Sequence, residues 1–143
     1  MVTRFALLKE LSAIVADDVL VLTSIGNNSG CSSTVFSSRS RIQIGDNVNI
    51  GGNVRIYDHD FHALSHLDRR GGPADRRNTK TAPVVIGNDV FIGVNAIILK
   101  GVHIGDRSVI GAGTVVTLKE IPPDSLVAGN PARILRSLQS GGS

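Results

Sequence analysis

An aliphatic residue at every sixth position constrains this chain more than any other feature. Ile86, Ile92, Ile98, Ile104, Ile110 and Val116 follow one another at that spacing, and Ile44, Ile50 and Ile56 repeat it. The distance from Ile44 to Ile86 is a whole number of sixes, so both blocks share one phase. A helix repeats at about 3.6 residues and an ordinary strand at about 2. A period of six means a short strand and a tight corner, repeated, which is the signature of a parallel β-helix. Glycine follows the aliphatic at 45, 51, 87, 93, 105 and 111, where it would permit a positive φ. Asp and Asn at 46, 47, 88, 89 and 106 suit the turns. Four places after each aliphatic comes another apolar or small residue: Val48, Val54, Val90, Ala96, Val102, Ser108 and Thr114. Three hexads make one triangular coil, and coils stack about 4.8 Å apart.

Composition agrees with thin stacked layers. The 143 residues favour one domain, aromatics make up 3%, Trp is absent and Gly numbers 16. The net charge of +3 forms no long basic run interleaved with aromatics, so nucleic acid is not an expected partner. The single cysteine, Cys31, excludes an intramolecular disulfide and fits a reducing compartment, where it reads as a buried filler thiol. The first residues carry Lys9, Glu10, Asp17 and Asp18 and lack the continuous apolar core of a signal peptide. No run approaches the roughly 18 apolar residues of a membrane span. A cytoplasmic protein without membrane insertion is expected.

The frame organises 1–143 as one domain. Residues 1–18 are expected to form a helical cap, because Phe5, Leu8, Leu11 and Val15 in the stretch 4–16 fall near one helical face and a solenoid end needs covering. Residues 19–57 are the first coils. There the frame slips by one residue between Ser32 and Gln43, since Ile25 and Cys31 are six apart but Cys31 and Ile44 are not a multiple of six apart. Residues 58–83 form an excursion loop, polar and without periodicity, which leaves one corner and re-enters in phase. A loop this long in a compact domain is functional or disordered. Regular coils occupy 84–121. In the C-terminal segment 122–138, Asn130-Pro131 would start a helix over ARILRSL, and 139–143 is a flexible tail.

Three of the four histidines, His59, His62 and His66, lie in the excursion; His103 belongs to a regular hexad and reads as structural. His59 directly follows the last strand before the loop, so it is better anchored than a residue at the tip. Histidine is the natural general base near neutral pH, and Asp58 and Asp60 beside it would orient its ring or raise its pKa. The competing reading is a solvated loop histidine. His62 and His66 could clamp a metal from one helical face, but a zinc site needs at least three ligands and no third recurs at a matching position, so no metal is expected.

The stretches IGDNVNIGGNVRIYDHDF and PVVIGNDVFIGVNAIILKGVHIGDRSVIGAGTVVTLKEIPPDSLVAGNPARIL resemble the hexapeptide-repeat O-acetyltransferases, in particular the maltose and galactoside acetyltransferase branch. The resemblance covers roughly 42–136. It implies an all-β, left-handed parallel β-helix, a homotrimer, and acetyl-CoA as acyl donor in the cleft between subunits. It implies that a histidine at the start of the excursion, His59 or else His62, deprotonates a hydroxyl of a sugar or sugar-containing acceptor, which attacks the thioester directly. The Val94 amide would stabilise the oxyanion. Phe91 would pack near the pantetheine, Ala112 and Gly113 would offer backbone to its amides, and Thr117, Lys119 and Arg133 would lie toward the nucleotide and phosphates. One residue is inserted in VTLKEIPP relative to the family, which bears on Lys119. Ser32 and Arg39 fall near the places where relatives contact acceptor, without matching residues. Two other readings of the fold are a non-catalytic trimeric scaffold and a metal-dependent hydratase of the γ-carbonic anhydrase type.

Overall fold

The computed structural model describes residues 2–5, 11–13 and 21–139, with side chains from Thr23 onward. The chain winds as a parallel β-helix with three faces. Each coil passes in order through a six-stranded face, a seven-stranded face and a four-stranded face. The coil before the excursion supplies Arg41–Ile44, Asn49–Ile50 and Arg55–Tyr57; the coil after it supplies Val84–Ile86, Phe91–Ile92 and Ile97–Ile98. Equivalent hexads stack in register, with Ile56 beside Ile98 and Ile98 beside Val116.

The interior is the hexad frame itself. Ile56, Ile92, Ile98, Ile110 and Val116 are fully buried, and so are Val48, Val54, Val90, Ala96 and Val102. Ser108 and Thr114, which hold the same inner position in later coils, are buried as polar residues. Each is satisfied locally: Ser108 Oγ donates to the Pro122 carbonyl and Thr114 Oγ1 to the Gly111 carbonyl. Such pairing removes the desolvation penalty of a buried hydroxyl.

The hexad glycines work differently from the expectation. None of residues 45, 51, 87, 93, 105 and 111 has a positive φ; that conformation is taken by Asn47, Asn53, Asp89, Asn95, Arg107 and Gly113 further along each corner. The glycines are required because the next coil is too close. A Cβ on Gly93 would lie 2.6 Å from the Ala112 nitrogen, and one on Gly51 2.8 Å from the Val94 nitrogen. In return each glycine N–H reaches the carbonyl of the aliphatic above it, as in Gly51 to Ile92 and Gly93 to Ile110, both 2.8 Å.

The slip in the first coil resolves into two changes. Cys31 stacks on Ile50 but Phe36, not residue 37, stacks on Ile56, so the first corner is one residue short. Two extra residues then lie between Phe36 and Ile44, which still stacks on Ile25. They form the Ser37–Ser40 bulge beside the excursion.

Neither terminal helix is present among the described residues. Val2–Phe5 pairs antiparallel with Ser29–Ser32, and Leu11–Ala13 with Val21–Ile25; the rest of the expected cap, 1, 6–10 and 14–18, lies outside the described residues. Ala132–Ser137 pairs antiparallel with Ser125–Gly129 instead of coiling. The last coil presents a row of unpaired backbone groups, and a returning strand satisfies them where a helix would leave them open. Only Ala132 of this strand is buried, and Ile134 and Leu135 are exposed. Its far end is pinned by Asp124, whose carbonyl accepts the Leu138 N–H at 2.7 Å and whose carboxylate takes the Gln139 amide at 2.8 Å. The remainder of the expected tail, 140–143, is outside the described residues.

Truncating Ile98 to Ala should cost about 2–5 kcal/mol, because a stacked core cannot collapse around the void. Urea unfolding read by circular dichroism would measure it, and an unchanged midpoint would contradict this packing.

Candidate active site at the mouth of the excursion

The excursion leaves the corner between the four-stranded and six-stranded faces, and its neck is zipped shut. The Asp60 N–H donates to the Lys80 carbonyl at 3.1 Å, the Ala82 N–H donates to the Asp58 carbonyl at 2.9 Å, and His59 bridges antiparallel to Thr81. The chain therefore returns in phase. Beyond the neck lie a short 3₁₀ turn, Asp68–Arg70, and one helix, Pro73–Asn78, neither with buried residues.

Asp58 fixes this neck to the coil before it. Its side chain is fully buried. Its carboxylate accepts the Ser38 hydroxyl at 2.6 Å, the Arg39 N–H at 2.7 Å and the Ser40 N–H at 2.8 Å. Three donors compensate the burial of the charge, and the bulge is what delivers them.

His59 is consequently held in place and only 4% exposed. Its Nδ1 accepts the Phe61 N–H at 3.0 Å, so the neutral ring carries its proton on Nε2, which donates to Ser37 Oγ at 2.9 Å. The Phe61 ring lies against the imidazole, with centroids 4.2 Å apart, and edge-on to Tyr57 at 5.0 Å. Phe61 itself has φ 66° and sits in a turn closed by the His62 N–H on the Asp60 carbonyl at 2.7 Å. A bulky residue in the left-handed region stores strain of about 1–3 kcal/mol, which is typical of functional sites.

The flanking acids do not act as the sequence suggests. Neither touches the imidazole: Asp58 serves the preceding coil and Asp60 pairs with Lys100 at 2.8 Å. The His59 pKa lies below its ordinary value rather than above it. Burial is the main cause and the Arg39 charge the second; together they outweigh the opposite pull of Asp58 and Asp60. The ring thus stays neutral at physiological pH, the form that can accept a proton.

His62 is a different kind of residue. Its side chain is 67% exposed, and Nδ1 is bound to Asp75 at 2.7 Å. That hydrogen bond, followed by the Ala63 amide, holds the Asp75 carboxyl below its usual range. His66 is exposed, and His103 pairs with Glu120 at 3.3 Å on the outer surface. Among the described residues no three His, Cys, Asp or Glu side chains converge on one point.

The remaining candidates divide between two corners. Phe91, Val94, Ala112, Gly113 and Arg133 lie on the seven-stranded face or its corner with the four-stranded face. This corner is open. Phe91 and Val94 are about half exposed, and a Cβ on Gly113 would meet nothing within 4 Å. The Val94 carbonyl accepts the Gly113 N–H at 2.9 Å, while no acceptor among the described residues takes the Val94 or Ala112 N–H. Thr117 and Lys119 lie on the other corner, with His59, and Lys119 Nζ donates to the Lys100 carbonyl at 2.7 Å. The width of the four-stranded face separates His59 from Val94 within one chain. Sequence reasoning missed Ser37, Phe61, Lys100 and the role of Asp58; the one available signal was the broken frame between Ser32 and Gln43.

A stacked-hexad β-helix with a histidine fixed at the mouth of an excursion and an open glycine-lined corner defines the hexapeptide-repeat class. Residues 41–56 and 83–117 match the family model described as the hexapeptide repeat of succinyl-transferase. The chain is 36% identical to galactoside O-acetyltransferase of Escherichia coli strain K12, over 94% of its own length and 68% of that protein. Its fold superposes on a hexapeptide-repeat acetyltransferase of Vibrio cholerae, solved with acetyl-coenzyme A, with TM-score 0.72 and 40% identity. It superposes on a maltose O-acetyltransferase of Clostridium difficile 630 with TM-score 0.71 and 36% identity. Each structural match covers 82% of this chain, and 61% and 60% of those chains. The chain belongs to the hexapeptide-repeat acetyltransferase family. It spans less than half of two other relatives, putative acetyltransferases of Schizosaccharomyces pombe and Bacillus subtilis.

In an NMR titration the His59 ring should titrate below the ordinary value of about 6.5, and Arg39→Gln should move it upward. With the folded pKa depressed, the unfolded chain binds the extra proton first. The His59 contribution to stability is therefore full above about 6.5 and is lost as pH falls toward the folded value. A midpoint above 6.5 would contradict this burial.

Proposed function

We propose that the chain is an acetyl-CoA-dependent O-acetyltransferase acting on a hydroxyl of a sugar or sugar-containing acceptor, with His59 as general base. The observation that carries this reading is the buried, neutral His59 fixed by its neighbours at the mouth of the excursion. The exposed His62, already bound to Asp75, suits the role less well. The relatives named for galactoside and maltose acetylation support a sugar acceptor.

The open corner fits an acyl donor. Successive coils present the unaccepted Val94 and Ala112 amides over Gly51 and Gly93, where close approach is possible. Val94 would receive the oxyanion, Ala112 and Gly113 the pantetheine amides, with Phe91 beside its chain and Arg133 toward phosphate. Lys119 is engaged by Lys100, so it and Thr117 contribute from the His59 corner. Because His59 and Val94 stand on opposite edges of one face, a complete site needs a second copy, and a homotrimer in the cytoplasm is the proposed form.

In the reaction the acceptor hydroxyl gives its proton to His59 as its oxygen attacks the thioester carbonyl. The carbon–sulfur bond then breaks, and the proton passes to the departing thiolate. The donor-bound Nδ1 and the Ser37-bound Nε2 describe a resting ring. For catalysis the proton moves to Nδ1, where the Phe61 N–H gives way, and the acceptor hydroxyl takes the place of Ser37 Oγ at the Nε2 lone pair.

Thiol release from acetyl-CoA with a sugar panel tests this. His59→Ala should lose about 10²- to 10⁴-fold and His62→Ala little, whereas full activity in His59→Ala would sink the assignment. The shared site has its own check. His59→Ala and Gly113→Trp chains, each inactive alone, should regain activity when refolded together; a mixture as inactive as its parts would count against a site between copies.

A further inference from the structure

We propose that Arg39 selects the acceptor, and that it selects one bearing a carboxylate or phosphate beside the reacting hydroxyl. This rests on the reading of His59 as the base of an acetyl transfer.

The charges around His59 can be accounted for one at a time. Asp58 is buried and its carboxylate is spent on the Ser38 hydroxyl and the Arg39 and Ser40 amides. Asp60 is paired with Lys100 at 2.8 Å. Asp75 is bound by His62 and by the Ala63 N–H, both at 2.7 Å. Every carboxylate at the mouth of the excursion is therefore engaged. Arg39 is not: its guanidinium is exposed, and no carboxylate among the described residues pairs with it. Asp58 bonds the backbone N–H of Arg39 and not its guanidinium.

Position makes this cation different from a solvated surface arginine. Its backbone is immobilised by Asp58, and two residues earlier Ser37 holds the His59 ring. Arg39 thus stands on the same rigid bulge that positions the base. Its charge is felt at both His59 and Asp75, so it stands near the ring and the excursion alike. An unpaired guanidinium offers a planar fork that matches carboxylate and phosphate oxygens, and it is less strongly hydrated than an ammonium. An anionic acceptor would supply the missing counter-charge and would bring its hydroxyl to the edge of the buried imidazole.

The test uses the full chain with acetyl-CoA and three matched acceptors in each of the glucose and galactose series: the neutral sugar, its uronic acid and its 1-phosphate. The inference expects kcat/KM for one or both anionic acceptors to exceed the neutral one by about 10- to 100-fold. It expects Arg39→Gln to raise KM for the anionic acceptors far more than for the neutral sugar and so abolish the preference, whatever its change in His59 does to kcat on all of them, and Arg39→Lys to restore part of it. The uronic acid and phosphate arms separate the two anions. Equal rates on neutral and anionic acceptors would overturn the inference and leave the acetyl-transfer reading intact. So would a preference that survives Arg39→Gln, or an equal loss on all acceptors in that variant. No thiol release with any acceptor would instead remove the acetyl-transfer reading, and the inference with it.

Discussion

The hydrogen bond from each hexad glycine to the aliphatic carbonyl of the next coil is the interaction on which the rest depends. It sets the spacing of the stack, and that spacing leaves no room for a Cβ at Gly51 or Gly93. With the coils drawn together, the column of Ile and Val behind each glycine closes into one continuous hydrophobic core. The ladder is indifferent to sequence separation. Gly45 reaches Ile86 at 2.9 Å across the whole excursion as readily as Gly87 reaches Ile104 at 2.8 Å. A long polar segment can therefore be inserted at one corner without weakening the stack, provided its neck is closed.

Closing the neck is the work of Asp58, and through it stability and chemistry are joined. One carboxylate ties the last strand before the excursion to the bulge of the preceding coil. The same contacts place Ser37 against His59 Nε2 and set Arg39 at the rim. The base is thus located by backbone geometry on two adjacent coils, not by the outer part of the excursion. Burial and the nearby guanidinium then keep it neutral against the opposite pull of Asp58 and Asp60.

The hexad frame was legible because it is local: one residue type recurring at one spacing identifies every inward position, and each such residue from Ile44 to Val116 lies in the core. His59 was legible as a candidate for a related reason, since it immediately follows the last periodic residues. Two kinds of information were not. The sequence suggests that the hexad glycines carry positive φ, yet that need falls on Asn and Asp further along the corner, because the glycines answer to the neighbouring coil. The terminal segments read as helices, the first by apolar spacing and the last from its Asn130-Pro131 start, but unpaired sheet edges recruited Val2–Phe5, Leu11–Ala13 and Ala132–Ser137 as strands. Propensity yields to unpaired edge hydrogen bonds of this kind.

The sequence by itself determined the stacked coils, the point where the chain leaves them, and the family to which its motifs are similar. A period of six admits one architecture, and that choice is made hexad by hexad. Only the tertiary structure decided what surrounds His59. The broken frame of the first coil gave no register, so nothing in the order of residues could show that Ser37 meets the ring or that Asp58 turns away from it. Nor could it show that Arg39 is left without a partner. Those relations join residues about twenty positions apart, and they exist only once backbone hydrogen bonds have laid one coil upon the next.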